Sequence, residues 1–194
     1  MNDAPTPAVL PAVDDLIRRL RSADDGVRGP AWQHAGPLGA PAVAPLVRTM
    51  SDPDREPARA ARRALWSVVD YAGRPGADPE REEVAAELST VLDRATEPVA
   101  TRREVVWMLS TIADSAAVDV VAARLKEAEL REDARCVLQR IPGKKALMAL
   151  RVALMEATDD FAAALADALR ARGEVVPGRP SRRLVPSRVT AVGV

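Results

Sequence analysis

A pair of apolar stripes at helical spacing, repeated along the chain, is the feature that most restricts how this chain can fold. The clearest copy lies in residues 39–72, where the first stripe follows an i, i+3, i+4, i+7 pattern: Val43, Leu46, Val47 and Met50. After a turn predicted at Asp52-Pro53-Asp54 comes a second stripe: Pro57, Ala61, Ala64, Leu65 and Val68. Neither helix can bury its stripe without neighbouring units, so the pattern predicts an array of helical pairs.

Copies of this unit extend over most of the chain. With the second helices aligned at Val27, Pro57, Pro98, Leu130 and Phe161, the anchors are separated by 30, 41, 32 and 31 residues. The longest interval contains a glycine- and proline-rich loop at residues 73–79. We therefore predict five helical pairs, preceded by a lead and followed by an irregular tail rich in proline and arginine. The pairs cover residues 13–39, 40–72, 80–113, 115–142 and 144–172, the lead covers residues 1–12, and the tail covers residues 173–194.

The composition favours an all-α fold without a metal or cofactor. Aromatic residues make up only 3% of the chain, whereas a sheet would favour aromatic and β-branched runs. The chain has one cysteine, Cys136, and one histidine, His34. These are too few for the ligand clusters of zinc or iron sites, so we expect no metal and no cofactor.

Charge and hydropathy predict a monomeric cytoplasmic protein. The 28 basic residues balance the 28 acidic ones, so no overall charge attracts nucleic acid or a membrane. No segment approaches the 18 or more apolar residues of a membrane-spanning helix. The first residues also lack the basic and apolar regions of a targeting segment, and we therefore expect a cytoplasmic location with no membrane partner.

The clearest unit resembles a bacterial HEAT repeat. The resemblance is carried by GAPAVAPLV at residues 39–47, by Ser51-Asp52-Pro53-Asp54 and by Ala58-Arg59 and Ala64-Leu65. The family commonly has a proline in the first helix, here Pro45, an aspartate in the turn and an arginine early in the second helix. Spanning residues 13–172, the resemblance implies a right-handed α-α superhelix whose second helices line the concave side. It also implies a scaffold or binding role.

One row of side chains, at equivalent positions of the second helices, faces away from the predicted core. With a turn of 100° per residue, the ninth residue after the anchor of each second helix lies about 156° from the centre of its apolar stripe. That position holds Gly36, Trp66, Trp107, Gln139 and Arg170 in the five units. The position one turn earlier holds Trp32, Arg62, Arg103, Arg135 and Ala166. We call the six residues in the three central units the ridge: Arg62, Trp66, Arg103, Trp107, Arg135 and Gln139.

The ridge has two interpretations. An arginine stacked on an indole in a groove would bind an acidic or aromatic peptide segment, because cation-π contacts and tryptophan anchors are common at binding sites. Alternatively, Trp66 and Trp107 fill gaps that alanine leaves between adjacent second helices. The sequence leaves both interpretations open.

We expect a non-enzymatic scaffold that binds a protein partner on the ridge. His34 and Cys136 have no partners at the spacing of a catalytic triad or dyad. One alternative is a nucleic-acid groove like that of the HEAT-like alkylpurine DNA glycosylases, for which Asp70 and Asp133 are acidic residues on second helices. A further alternative is an accessory role like that of the HEAT-type phycobilin lyases, for which no specific motif is present.

Overall fold

The computed structural model describes residues 9–157 and 160–179, and this part of the chain is helical throughout. Helices account for 77% of the described residues, and no strand occurs among them. The ten α-helices are α1 Val9–Leu20, α2 Asp25–Gln33, α3 Val43–Met50, α4 Arg55–Ala72, α5 Asp78–Asp93, α6 Val99–Ile112, α7 Val118–Ala123, α8 Arg131–Arg140, α9 Lys144–Glu156 and α10 Asp160–Ala171. Four short 3-10 turns connect or extend them: Gly36–Leu38, Ala40–Ala42, Ser115–Ala117 and Arg124–Lys126. The all-α prediction is therefore confirmed.

The helices follow one another as five consecutive pairs that pack side by side. Each odd-numbered helix contacts the even-numbered helix after it, from α1 with α2 to α9 with α10. The odd-numbered helices also contact one another in order, and so do the even-numbered ones. Within the described residues, every extensive contact joins helices of the same pair or of adjacent pairs.

The predicted stripes form the core between these helices. In α4, the stripe residues Ala61, Ala64, Leu65 and Val68 are fully buried. The equivalent residues of α6 and α8 include Val105, Val106, Val137 and Leu138, which are also fully buried. The side chains are mostly alanine, valine and leucine, which lets the helices approach closely and explains why so few aromatic residues are needed.

The stripe is less complete in the first pair. His34, predicted on its apolar face, is exposed and caps the C-terminus of α2, with its Nδ1 2.8 Å from the carbonyl oxygen of Pro30. The helix continues through Gly29-Pro30 but ends at Gln33, so it is short, as predicted. Because α2 has only nine residues, its last predicted stripe residues fall beyond the helix.

Two predicted boundaries differ from the structure. The loop predicted at residues 73–79 ends at Ala77, because α5 begins at Asp78. Pro79 occupies its first turn, where a backbone N–H has no helical acceptor and proline is tolerated. Similarly, α1 begins at Val9, within the predicted lead, and contains Pro11 near its start. The rest of that lead, residues 1–8, lies outside the described residues.

Arginines join the third pair to the fourth. Arg102 of α6 lies on the stripe yet is only 6% exposed, and its Nη2 donates to Glu127 Oε2 at 2.5 Å. The Nε of Arg124 lies 3.0 Å from Glu127 Oε1. Through Nη1, Arg124 also donates to the carbonyl oxygen of Leu92 at the end of α5, at 2.7 Å. Two buried cations thus share one carboxylate at this junction.

The end of the fifth pair is tied back to the fourth. Arg172 Nη1 donates to the carbonyl oxygens of Leu138 and Ile141 at 2.6 and 2.7 Å, and its Nη2 donates to that of Gly143 at 2.7 Å. The carbonyls of Leu138 and Ile141 lie at the C-terminal end of α8, where helical carbonyls lack backbone donors, whereas Gly143 is the N-cap of α9. Arg172 therefore supplies the hydrogen bonds that the last turn of α8 lacks.

The described part of the predicted tail, residues 173–179, lies against the fifth pair. Glu174 accepts hydrogen bonds from the guanidinium of Arg151 in α9, and Val176 packs against the core. The remaining tail residues, 180–194, lie outside the described residues. In the part of the chain that is described, no helix combines the length and the apolar character needed to cross a bilayer.

Candidate functional site

The first half of the ridge lies on α4. Asp54 caps this helix by accepting a hydrogen bond from the backbone N–H of Glu56 at 3.1 Å, and its stripe packs into the core. Arg62 and Trp66 lie on the opposite side, one turn apart. Arg62 Nε lies 2.8 Å from Glu104 Oε1 on α6, and Trp66 Nε1 donates to the same oxygen at 2.5 Å. Arg62, Trp66 and Glu104 form the Glu104 cluster.

The same arrangement occurs one helix further along. Arg103 Nε donates to Asp133 Oδ2 of α8 at 2.9 Å, and Trp107 Nε1 donates to Asp133 Oδ1 at 2.9 Å. Arg103 Nη2 also donates to the carbonyl oxygen of Glu129 at 2.7 Å. Arg103, Trp107 and Asp133 form the Asp133 cluster. In both clusters, an arginine and a tryptophan of one second helix hold a carboxylate of the next.

The two clusters leave their arginines accessible while their carboxylates are largely covered. The side chains of Arg62 and Arg103 are 59% and 47% exposed, whereas those of Glu104 and Asp133 are 17% and 18% exposed. Both tryptophans are partly buried, and Trp66 packs against the core. Each hydrogen bond has at least one charged partner, which makes it stronger than a neutral one. The accessible head groups are therefore held in defined positions.

The predicted stacking of each arginine on the tryptophan of its own helix is not what the structure shows. Among the described residues, the arginine–tryptophan stack is between Arg63 of α4 and Trp32 of α2, with the guanidinium carbon 5.4 Å from the ring centroid. Arg62 and Arg103 instead lie against carboxylates. An ionised carboxylate attracts a guanidinium more strongly than an aromatic face does, which accounts for the difference.

The third predicted pair, Arg135 and Gln139 on α8, forms no such cluster. Arg135 Nε donates to Glu132 Oε2 at 2.8 Å, and its Nη1 donates to Gln139 Oε1 at 3.2 Å. Both acceptors belong to α8 itself, so this pair does not reach the next second helix through these contacts. The ridge is thus a repeated arrangement on α4 and α6 that changes character on α8.

A tryptophan is also impossible at the equivalent position of the first pair. That position is Gly36, and a Cβ atom built there would lie 2.7 Å from the Cβ of Tyr71 in α4. This distance is shorter than van der Waals contact allows. The glycine lets the end of the first pair approach α4 closely, and the repeated arrangement therefore begins at α4.

The carboxylates of the two clusters were not identified from the sequence. Glu104 is a site residue that the helical pattern did not reveal, and Asp133 was considered only as a candidate catalytic residue for the nucleic-acid alternative. In the structure, each oxygen of Asp133 accepts a hydrogen bond from a protein donor. Both carboxylates lie within the first two turns of the second helix that follows each Arg–Trp pair, a pattern whose meaning depends on how closely the two helices pack.

The other candidate residues remain separate from the Glu104 and Asp133 clusters. His34 is the exposed cap of α2. Cys136 is a half-buried free thiol whose sulfur accepts a contact from Arg135 Nη2 at 3.1 Å. Asp70 lies exposed near the end of α4. These residues do not converge with one another or with the two clusters in any contact seen in the described part of the chain.

No protein-family model matches the chain, and a search of curated proteins gives no match either. Function is therefore inferred from the geometry of the ridge.

Proposed function

We propose that this chain is a non-enzymatic protein-binding module built as a HEAT-like solenoid, with the ridge as its contact surface. The order of contacts supports the solenoid, because each helical pair packs on its neighbours in sequence, as in a right-handed α-α superhelix. In such a superhelix the second helices line the concave side, so the ridge would lie in the concave groove. Small-angle X-ray scattering tests the shape, and a compact spherical particle would contradict it.

The observation that carries the binding proposal is the pair of clusters around Glu104 and Asp133. They hold two exposed guanidinium groups and two indole edges on successive second helices, α4 and α6. A surface whose side chains are already fixed loses less conformational entropy when a partner binds. The Arg and Trp side chains are also the types that most often dominate binding energy at interfaces.

The chemistry of these groups favours a peptide segment with carboxylates and an aromatic or apolar side chain. The outer edges of Arg62 and Arg103 remain available for further charge-assisted hydrogen bonds, while the indoles provide apolar contact. A nucleic-acid backbone is less well matched. Each arginine is already paired with a carboxylate, so the clusters do not present the continuous positive charge that phosphate binding requires.

The test uses an immobilised array of short acidic peptides, half of them with an aromatic residue, and neutral peptides of the same length. We expect the wild-type chain to bind the acidic aromatic peptides, and the Arg62→Gln/Arg103→Gln variant to bind them at least about tenfold more weakly, equivalent to about 1.4 kcal/mol. Arg18→Gln/Arg48→Gln is the matched control, because both arginines are exposed on odd-numbered helices. Equal weakening in both variants would reduce the effect to overall charge and contradict the proposal.

Two further measurements separate the alternatives. Acrylamide quenching in a Trp32→Phe background reports on Trp66 and Trp107, and we expect a bound peptide to protect them. If both indoles are unquenchable before any peptide is added, they only fill space between helices and the binding proposal fails. Retention on heparin with a steep dependence on salt would instead favour nucleic acid.

A further inference from the structure

The two clusters of the ridge are copies of one arrangement, separated by one helical pair. Arg62 and Arg103 hold the same position of α4 and α6, four residues before Trp66 and Trp107. The two helices contact each other directly. Because the axes of packed helices lie about 8 to 10 Å apart, corresponding atoms of the two clusters are separated by about the same distance. The ridge therefore offers two guanidinium groups and two indoles at one fixed spacing.

Only some peptide conformations present side chains at this spacing. In the polyproline II conformation, three residues complete one turn and each rises about 3.1 Å, so the side chains at i and i+3 point the same way about 9 Å apart. In a β-strand, side chains on one side are separated by about 7 or about 13 Å, and neither distance matches. In an α-helix, residues i and i+7 lie about 10 Å apart on one side. The spacing thus fits a polyproline II segment or a helix, and it does not fit a strand.

The hydrogen bonds of the arginines favour the polyproline II segment over the helix. Arg62 approaches its carboxylate through Nε, and Arg103 uses Nε and Nη2, so N–H groups remain on both side chains, which are 59% and 47% exposed. These N–H groups can donate to backbone carbonyl groups as well as to carboxylates. A helix uses its carbonyl groups in internal hydrogen bonds, whereas a polyproline II segment leaves every carbonyl available.

Arginines on this side of the second helices already bind non-helical backbone within the chain. Arg103 Nη2 donates to the carbonyl oxygen of Glu129, in the turn before α8, at 2.7 Å. Arg170, at the ninth position of α10, donates through Nη2 to the carbonyl oxygen of Arg179, in the non-helical segment after that helix. A bound peptide whose own carbonyl groups are free would accept hydrogen bonds of the same kind.

The tryptophans suit the same ligand. Trp66 and Trp107 are half-buried, and their indole N–H groups are bound to Glu104 and Asp133. The orientation of each ring is therefore fixed. Proline-rich segments dock in grooves lined by aromatic side chains, because a preformed polyproline II helix loses little conformational entropy on binding.

We propose that the ridge binds a proline-rich segment in the polyproline II conformation with two acidic residues three positions apart, one for Arg62 and one for Arg103. This inference rests on the proposed peptide-binding function and adds the conformation and the spacing that the ridge recognises. The two positions between the acidic residues are not acidic themselves. Glu104, which follows Arg103 in α6 and contacts Arg62, would repel a third acidic group there.

Fluorescence anisotropy with labelled proline-rich peptides of equal length and charge tests the spacing. Each peptide carries two glutamates, at i and i+2, at i and i+3, or at i and i+4, and an alanine-rich helical peptide carries them at i and i+7. We expect the i, i+3 peptide to bind at least about tenfold more tightly than each of the others. Equal affinities for the three proline-rich peptides, or a helical peptide that binds as tightly as the i, i+3 peptide, would overturn the proposal.

Removal of single charges tests whether each arginine binds its own glutamate. Arg62→Gln should weaken binding of the i, i+3 peptide several-fold, and replacing one of the two glutamates by glutamine should then have no further effect, whereas replacing the other should. Arg103→Gln should show the opposite pattern. Arg48→Gln is the matched control, because it removes an exposed arginine of α3, outside the ridge. Circular dichroism confirms that each variant is folded, and an equal loss of affinity in the control would overturn the proposal.

The same measurements separate failure of this inference from failure of the proposed function. If all acidic peptides bind equally and still depend on Arg62 and Arg103, the conformation and spacing are wrong while the peptide-binding ridge stands. If no acidic peptide binds at up to about 1 mM, both are overturned.

Discussion

Helices α4 and α9 differ in how much of each is buried by the helices around it. Helix α4 buries eight of its 18 residues, whereas α9 buries two of its 13. Yet α9 is the richer in apolar side chains, with alanine, leucine, methionine and valine at nine positions. The difference arises because α4 extensively contacts five other helices, whereas α9 extensively contacts only α7, α8 and α10 among the described helices and leaves Met148, Val152 and Met155 exposed. Apolar content alone therefore does not predict burial in this fold.

The largest expected effect is the loss of folding stability when a fully buried leucine is truncated, either Leu65 of α4 or Leu150 of α9. Truncation to alanine leaves a cavity that costs about 2 to 5 kcal/mol, depending on how far the surroundings collapse. We expect Leu65→Ala to fall near the upper limit and Leu150→Ala near the lower one, because α9 has fewer neighbours that hold it in place. Urea unfolding measures both. Equal losses would mean that the last pair is as constrained as the second.

The same comparison can be made with two carboxylates, Glu127 between the third and fourth pairs and Glu156 at the end of α9. Glu127→Ala leaves Arg102 and Arg124, whose side chains are 7% and 10% exposed, without their shared partner. We expect a loss of about 2 to 3 kcal/mol, below that of a fully buried pair because Glu127 itself is one-third exposed. Glu156→Ala breaks only the exposed pair with Lys126 and should cost less than about 0.5 kcal/mol. A reversed order in thermal unfolding would contradict this assignment.

A smaller loss of stability is expected when the hydrogen bonds of Arg172, which tie the fifth helical pair to the fourth, are removed. Arg172→Met removes the donors to the carbonyl groups of Leu138 and Ile141 at the end of α8, and to that of Gly143 at the start of α9, while keeping most of the side-chain volume. We expect a loss of about 1 to 2 kcal/mol, the usual range for hydrogen bonds that leave buried acceptors without partners. Arg151→Met is the control, since it loses a partly exposed pair with Glu174 and a contact with Met148 Sδ at 3.7 Å. If both variants unfold at the same urea concentration, Arg172 does not attach the last pair.

The smallest effect is a dependence on pH at the start of α5. The pKa of Glu80 is lowered from its ordinary value of 4.5, first by a hydrogen bond with its own backbone amide and then by the Arg74 guanidinium. A lowered pKa in the folded state adds stability above pH 4.5, and this stability is lost as the pH falls below that value. Glu80→Gln should therefore lower the unfolding temperature slightly at about pH 7 and by less at about pH 3, because the contribution is lost as the pH falls through the lowered pKa. Unchanged values at both pH values would show that this carboxylate contributes nothing.

The regular part of the structure could be predicted from the sequence because it depends on periodicity. The stripe residues of α4, α6 and α8 are buried as the 3.6-residue period requires, while Trp66 and Trp107 are half-buried. Glu104 could not be assigned because its role depends on the distance between two helices, which one sequence does not specify. Arg62 and Trp66 were correctly placed one turn apart, but their shared acceptor lies 38 residues further along the chain than Trp66.

The exposure of α9 was unpredictable for a different reason. Its apolar positions match those of a helix with neighbours on both sides, and periodicity reports only which side of a helix is apolar. Whether a second side is covered depends on whether another helix packs beside it in the row. The exposure of Met148 and Met155 is therefore visible only in the structure.

The restriction of extensive contacts to adjacent pairs affects how such a protein can change over evolutionary time. A duplicated or deleted helical pair would create new junctions only at its two edges, and all other junctions would keep their existing side chains. Gly143, at φ 93° between α8 and α9, marks a point where the chain could be extended or shortened in this way. Length can therefore be selected separately from the surface that each pair carries, and a longer descendant could recognise a longer ligand without a new core.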